Sequence, residues 1–143
     1  MAPRSSRDPS VNIPVSGSES ETLLRGKTVM LVEDEKMVTV LLEDMLEALG
    51  CTDIRCASCV SAALEEIGRT VPDLAVLDVN LGNEMVYPVA EKLNVAQVPF
   101  VFTTGYGRGA IKLEWAARPC VQKPFNIDSF SGALRAALAA GNV

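Results

Sequence analysis

Four short apolar runs in this chain end at residues that can carry chemistry. In chain order, the runs lead into an acid pair, a single acid, a hydroxyl pair and a lysine: Glu33 and Asp34, Asp78, Thr103 and Thr104, and Lys123. When parallel strands alternate with helices, the carboxyl ends of all the strands lie at one edge of the sheet. The order therefore predicts a single site that could hold a divalent cation and accept a phosphoryl group.

The segments between these runs show the apolar spacing of helices. Five strand–helix units in succession predict a parallel sheet with helices on both faces, and the more polar second run suits an edge strand. We therefore predict a flavodoxin-like α/β fold, a doubly wound parallel sheet of the (βα)5 type with strand order 2-1-3-4-5. After the first run, the apolar residues on one helical face are Val38, Leu41, Leu42, Met45 and Leu49.

The predicted strands cover residues 28–32, 54–57, 74–78, 100–103 and 120–122. The predicted helices cover about 36–49, 60–67, 87–93, 109–116 and 128–140. Gly50 is expected to end the first helix, and Ser58 or Ser61 to cap the second. Residues 1–24 are rich in Ser and Pro, which predicts a disordered N-terminal tail before a single domain over residues 25–143, with order beginning near Lys27.

The charge and hydropathy of the chain argue against two classes of partner. The net charge of -5 over 143 residues disfavours nucleic acid, because such binding depends on clustered Lys and Arg. No apolar stretch is long enough to span a bilayer, and the N-terminus contains no apolar run of a secretory signal. We expect a cytoplasmic protein that binds neither nucleic acid nor membrane.

Histidine and cysteine content narrows the possible chemistry further. The chain has no histidine, so it cannot use His-based acid–base catalysis or donate a phosphoryl group from a phosphohistidine. Cys51, Cys56 and Cys59 have a spacing that also occurs in plant-type iron–sulfur proteins. Cys56 falls in a predicted strand, however, whereas a cluster needs an enveloping loop, so small cytosolic thiols are the favoured interpretation.

Each residue type in the predicted site has a physical task. Three carboxylates in one crevice repel each other and lose solvation, and a divalent cation relieves both costs. The Asp78 carboxylate can attack phosphorus, while the Lys123 ammonium and the Thr104 hydroxyl can contact phosphoryl oxygens. The candidate ligands of Mg²⁺, which prefers oxygen, are Glu33, Asp34, Asp78 and the backbone carbonyl of Asn80.

A structural role is the alternative for each of these side chains. Asp34 could cap the first helix, Asp78 could lie in a solvated turn, and Thr104 could be strand filler. Lys123, before Pro124, could be a surface lysine. All of these alternatives would have to hold together, in this order along the chain, for the site to be absent.

The four motifs that contain these residues resemble those of the receiver domain of bacterial two-component response regulators. The resemblance covers about residues 27–140 and implies an Asp78 phosphoacceptor, a Glu33 and Asp34 metal pair, a Thr104 switch hydroxyl and a Lys123 that contacts the phosphoryl group. The motifs are Leu31-Val32-Glu33-Asp34-Glu35, Leu77-Asp78-Val79-Asn80-Leu81, Thr103-Thr104-Gly105-Tyr106-Gly107 and Val121-Gln122-Lys123-Pro124-Phe125.

The sequence departs from the usual receiver pattern at three positions. Gly82 stands where receivers usually have Pro, Val86 where Gly is common, and Cys120 where the switch aromatic normally precedes the lysine. The stretch from Pro99 to Gly107 instead resembles the atypical "FATGUY" receiver subclass, whose aromatic lies in the loop after the fourth strand. This implies that Tyr106 is the switch residue beside Thr104, with a surface turn tyrosine as the alternative.

The resemblance implies a stand-alone receiver, because only about twenty residues follow Lys123. Such a protein takes its phosphoryl group from a sensor histidine kinase, assists its own phosphorylation and dephosphorylation, and is not otherwise an enzyme. It signals to an unidentified downstream protein or acts as a phosphate sink. The expected partner surface is formed by the fourth helix, fifth strand and fifth helix, with Ile111, Leu113 and Trp115 as candidate contacts, of which at least one is expected to pack in the core.

Two other functions use the same strand-end aspartate differently. A pseudo-receiver would be an interaction module that is never phosphorylated, and the intact acid, threonine and lysine set disfavours it. A small aspartyl-phosphate phosphatase of the haloacid-dehalogenase type needs a second Asp two residues after the nucleophile, and Asn80 occupies that position.

Overall fold

The fold is a parallel sheet of five strands, in a computed structural model that describes residues 22–106 and 110–141. The strand order β2-β1-β3-β4-β5 confirms the predicted flavodoxin-like α/β topology. The five strands are β1 Thr28–Val32, β2 Asp53–Ala57, β3 Leu74–Asp78, β4 Phe100–Thr104 and β5 Cys120–Gln122.

Four α-helices and one 3₁₀ helix accompany the sheet in the described part of the chain. They are α1 Lys36–Ala48, α2 Val60–Arg69, α3 Tyr87–Val95, the 3₁₀ helix Leu113–Trp115 and α4 Ile127–Gly141. Among the described residues, none of the helices combines the length and apolar character needed to cross a membrane.

Alternate residues of the strands build two cores, one on each face of the sheet. The side chains of Met30, Leu77 and Phe102 pack on one face with α2 and α3. Those of Leu31 and Val76 pack on the other face with α1 and α4. Every residue of β3 and β4 is buried, as expected for strands covered on both faces, whereas β2 is mostly half-exposed at the sheet edge.

The predicted apolar face of the first helix is correct for four residues, but it includes the exposed Leu41 and omits the buried Leu46. Leu42, Leu46 and Leu49 are buried, and Gly50 follows with φ of 97°, a backbone conformation that favours glycine. Leu41 is exposed, because the buried stripe follows the 3.6-residue period through Leu46 instead.

The predicted α-helix over 109–116 is wrong for the part that the structure describes. None of the described residues 110–116 is α-helical; they include the 3₁₀ helix Leu113–Trp115, in which Trp115 is buried and Leu113 is 90% exposed. Ile111, Leu113 and Trp115 are spaced two apart, so an α-helix could not bury all three on one face. The expectation that core packing takes at least one of them is correct, since Ile111 and Trp115 are both buried.

The N-terminal boundary of the packed domain lies earlier than predicted. Leu24 is 0% exposed and packs in the core beside α1, and its backbone N–H donates to the Leu49 carbonyl at 2.9 Å. Order therefore begins before Lys27, while the predicted tail up to residue 21 lies outside the described residues.

We predict that Leu24→Ala lowers the free energy of unfolding by about 2–5 kcal/mol, the usual cost of truncating a buried leucine. Urea unfolding measures this value. The matched control is Leu113→Ala, which truncates an exposed leucine and should change stability by less than about 0.5 kcal/mol. Equal effects of the two substitutions would show that Leu24 does not belong to the core.

Candidate functional site

The strand register brings the predicted residues to one edge of the sheet. Val32 pairs with Leu77, Asp78 with Thr103, and Thr104 with Gln122, so the residues that end or follow these strands are neighbours. Glu33 and Asp34 follow β1 and Lys123 follows β5. The carboxyl ends of β1 and β3 are the topological switch point at which this fold type places its ligands.

The three acidic side chains form a compact cluster. One carboxylate oxygen from each of Glu33, Asp34 and Asp78 lies within 4.8 Å of the others. Glu33 is 3% exposed and Asp78 is 5% exposed, whereas Asp34 faces solvent. Two of the three charges are therefore removed from water, which is costly without a compensating cation.

Lys123 supplies one positive charge to this cluster. Its Nζ lies 3.3 Å from Glu33 Oε1 and 3.3 Å from Asp78 Oδ2. The Lys123–Pro124 peptide bond is cis. The lysine is largely buried and bridges two buried carboxylates, which is inconsistent with an ordinary surface lysine.

Burial of the charged groups and their mutual interactions shift the pKa values of Glu33, Asp78 and Lys123. Burial, followed by the nearby Asp78 charge, raises the pKa of Glu33 from 4.5 to about 7. Burial also raises the pKa of Asp78, although Lys123 opposes that shift. The pKa of Lys123 lies above its usual value, because Asp78 and Glu33 outweigh the opposing effect of burial. Near neutral pH the Glu33 carboxylate therefore competes for a proton, and a bound cation could take the place of that proton.

The hydroxyl at the end of β4 contacts the loop that follows it. The Tyr106 backbone N–H donates to Thr104 Oγ1 at 3.0 Å, and Thr104 is buried. The Tyr106 side chain is 76% exposed, so its ring does not pack in the core. Gly107, part of the same predicted motif, lies outside the described residues.

The loop after Asp78 folds into a tight turn beside the cluster. The Asn80 side-chain oxygen accepts the Gly82 backbone N–H at 3.1 Å, and Asn80 pairs with Met85. Gly82 has φ of 80°, and a Cβ there would lie 3.4 Å from Asp34 Oδ2. Glycine therefore suits the positive φ of this turn, while a Cβ would make only ordinary van der Waals contact with the acid. The role of the Asn80 carbonyl as a ligand stays a prediction.

Sequence reasoning missed Glu84 in this loop. Neither Ser58 nor Ser61 caps α2, whose N-cap residue is Cys59 with no side-chain cap of its own. Instead, Glu84 Oε2 accepts the Val60 backbone N–H at 3.0 Å. No local sequence signal could reveal this contact, since the cap comes from another loop.

The cysteines do not form a metal site in the described part of the chain. None of the four cysteines forms a disulfide among the described residues, and the Cys56 thiol donates to Glu43 Oε2 at 3.2 Å. Cys56 lies in β2 as predicted. Within residues 22–106 and 110–141, the acid cluster is the one group of at least three potential ligands close enough to share a metal ion.

Comparisons with known proteins agree with this geometry. The family model described as "Response regulator receiver domain" matches residues 29–135, most of the chain. The chain belongs to the response regulator receiver family. It is therefore a signalling domain of two-component systems. The receiver family is not an enzyme family.

Individual relatives show how far the similarity extends. The sensory transduction protein LytT of Enterococcus faecalis is 33% identical over 101 residues, covering 68% of this chain and 42% of LytT. The chain thus spans less than half the length of this relative. The solution structure of SdrG from Sphingomonas melonis Fr1 is 39% identical with a TM-score of 0.68, covering 81% of this chain and 96% of SdrG. The receiver domain of PhyR from Erythrobacter litoralis is 25% identical with a TM-score of 0.74, covering 85% and 96%.

We predict that the metal-free domain loses stability as pH rises from about 4.5 to about 7, because folded Glu33 keeps a proton that the unfolded chain has released. Glu33→Gln imitates the protonated side chain. It should stabilise the domain above pH 7 by up to about 3 kcal/mol and give little change near pH 4. Urea unfolding with a chelator present measures both variants across this range.

The control is Glu91→Gln, which removes an exposed carboxylate from α3 and should change stability by less than about 0.5 kcal/mol. Parallel pH profiles for the wild type and Glu33→Gln would contradict the burial of an unfavourable charge at Glu33.

Proposed function

We propose that, in the cytoplasm, Asp78 accepts a phosphoryl group from a sensor histidine kinase with Mg²⁺ bound at the acid cluster. The observation that carries this proposal is the placement of the Asp78 carboxylate. It is buried at the end of β3, lies 3.3 Å from the Lys123 ammonium, and shares a cluster with Glu33 and Asp34. These neighbours suit a nucleophile that must react with an anion.

The transfer exchanges one bond to phosphorus for another. An Asp78 carboxylate oxygen forms a P–O bond as the P–N bond to the kinase histidine breaks, and the electron pair of that bond stays with the imidazole. The Lys123 ammonium, already positioned by two carboxylates, offsets negative charge on the phosphoryl oxygens.

The donor set fits a hard divalent cation. The Glu33, Asp34 and Asp78 carboxylates offer oxygen ligands, and the backbone carbonyl of Asn80 is the proposed fourth. When bound, Mg²⁺ neutralises charge on the carboxylates and on the phosphoryl oxygens.

We propose that Thr104 and Tyr106 report the phosphorylation state, in the manner of the FATGUY-like subclass. The Thr104 hydroxyl accepts the Tyr106 backbone N–H and lies at the end of the strand next to Asp78. A phosphoryl group that recruits this hydroxyl would alter the backbone contact of Tyr106. The exposed Tyr106 ring can then change position with little loss of packing.

The proposed output is contact with a downstream protein. Leu113 is 90% exposed in the segment after this loop, and it is the favoured contact residue there. The partner surface comprises the 3₁₀ helix, β5 and α4, because the predicted fourth α-helix is absent from the described residues. A domain that served only as a phosphate sink for the kinase would need no change in this surface on phosphorylation.

The test is an NMR titration with Mg²⁺ and then with beryllofluoride, a mimic of the phosphoryl group. Mg²⁺ should shift the amide signals of Glu33, Asp34 and Asp78. Beryllofluoride should then shift signals through Thr104, Tyr106 and residues 110–116 in the wild type, and not in Asp78→Asn, which lacks the reacting carboxylate.

Each alternative has a distinct outcome in this titration. Metal binding with no response to beryllofluoride would indicate a pseudo-receiver. Absence of both responses would show that the acid cluster is not a working site. A beryllofluoride response in Asp78→Asn as large as in the wild type would rule out Asp78 as the acceptor.

A further inference from the structure

Tyr87 connects the start of α3 to the segment of residues 110–116. The Lys112 backbone N–H donates to Tyr87 Oη at 3.1 Å. The Lys112 ammonium also lies 4.8 Å from the centroid of the Tyr87 ring, within the range of a cation–π contact. One buried side chain therefore contacts both the backbone and the side chain of Lys112.

The Tyr87 ring is itself held in the core. It packs edge-on against Phe102 with the ring centroids 6.2 Å apart. Phe102 lies in β4, two residues before Thr104, so Tyr87 links the 110–116 segment to the strand that carries the proposed switch hydroxyl. A rigidly packed ring with one polar atom at its edge is well suited to hold a backbone amide in place.

The rest of the 110–116 segment is only partly secured. Its complete regular element is the 3₁₀ helix Leu113–Trp115, and Leu113 projects into solvent, whereas Ile111 is buried and the Trp115 ring packs on Phe100 with the centroids 5.8 Å apart. Trp115 is buried, but its indole N–H has no hydrogen-bond partner among the described residues. Burying an unpaired donor is unfavourable, and a released segment would avoid that cost by exposing the N–H to water. The hydrogen bond from Lys112 to Tyr87 therefore stabilises the docked segment, while the unpaired Trp115 N–H destabilises it.

We propose that Tyr87 is a positioning residue that holds the 110–116 segment in the docked arrangement of the unphosphorylated domain, and that its hydroxyl releases the Lys112 amide when a phosphoryl group occupies Asp78. This inference rests on the proposed function. It goes beyond the Thr104 and Tyr106 pair, because it assigns the restraint on residues 110–116 to α3, the helix that follows the strand ending at Asp78.

The coupling follows from the chain connection. A phosphoryl group that draws the Thr104 hydroxyl away from the Tyr106 N–H changes the path of the chain six residues before Lys112. A shift of the Tyr106 backbone therefore strains the hydrogen bond between the Lys112 N–H and Tyr87 Oη. Phosphoryl binding and the Tyr87 contact therefore oppose each other, so that weakening one strengthens the other.

The experiment compares the wild type with Tyr87→Phe, which keeps the ring and its packing on Phe102 but removes the acceptor oxygen. With saturating Mg²⁺, Tyr87→Phe should bind beryllofluoride about two- to tenfold more tightly, the effect of losing one net hydrogen bond from the competing docked state. The Asp78 amide signal measures the apparent affinity. Without beryllofluoride, the Lys112 amide should exchange with solvent faster by a similar factor.

Lys112→Met provides the matched control. It removes the ammonium above the Tyr87 ring and keeps the backbone N–H, so it should change beryllofluoride affinity less than Tyr87→Phe does. An equal or larger effect of Lys112→Met would transfer the restraint from the hydroxyl to the cation–π contact and overturn the proposal as stated.

Other outcomes separate this inference from the function on which it rests. A wild type that responds to beryllofluoride, with an unchanged or weaker affinity in Tyr87→Phe, would overturn the role of Tyr87 alone. A wild type with no beryllofluoride response would overturn the proposed function and this inference with it.

Discussion

The balance between buried carboxylates and one ammonium governs the carboxyl-terminal edge of this sheet. Three acids converge there, two of them buried, and Lys123 reaches both buried acids at 3.3 Å. One lysine offsets only part of that negative charge, so burial and mutual repulsion raise the pKa of Glu33 to about 7. The domain thus keeps an electrostatic cost in its folded state, which a divalent cation could relieve.

The sheet topology is what makes this concentration of charge possible. β1 and β3 are neighbours at its centre, with fully buried residues on both faces, and they fix the backbone from which the acids project. The loops beyond the strands then adjust the site. Gly82 allows the positive-φ turn beside Asp34, and Glu84 ties the same loop to the start of α2. A rigid core therefore positions the charges, and short loops shape their surroundings.

The sequence was most informative where apolar runs and polar strand ends coincide. Asp78 and Lys123 were predicted to meet because parallel strands share one carboxyl edge, and the structure places them in contact. It was less informative where long-range packing decides. Leu24 looked like part of a tail because its burial depends on contact with α1 and the Leu49 carbonyl, which no local pattern reveals. The α2 cap from Glu84 left no local pattern, and the two-residue spacing around Leu113 was a signal against the predicted helix.

Phosphorylation of the intact chain tests most directly whether Asp78 is a phosphoacceptor. The protein would be incubated with Mg²⁺ and acetyl phosphate, and its intact mass measured alongside that of Asp78→Asn. The wild type should gain the mass of one phosphoryl group, located at Asp78 by peptide mass spectrometry, and the gain should be lost when a chelator is present or when Asp78 is replaced. An unmodified wild type, or an Asp78→Asn variant modified to the same extent, would contradict the assignment of Asp78.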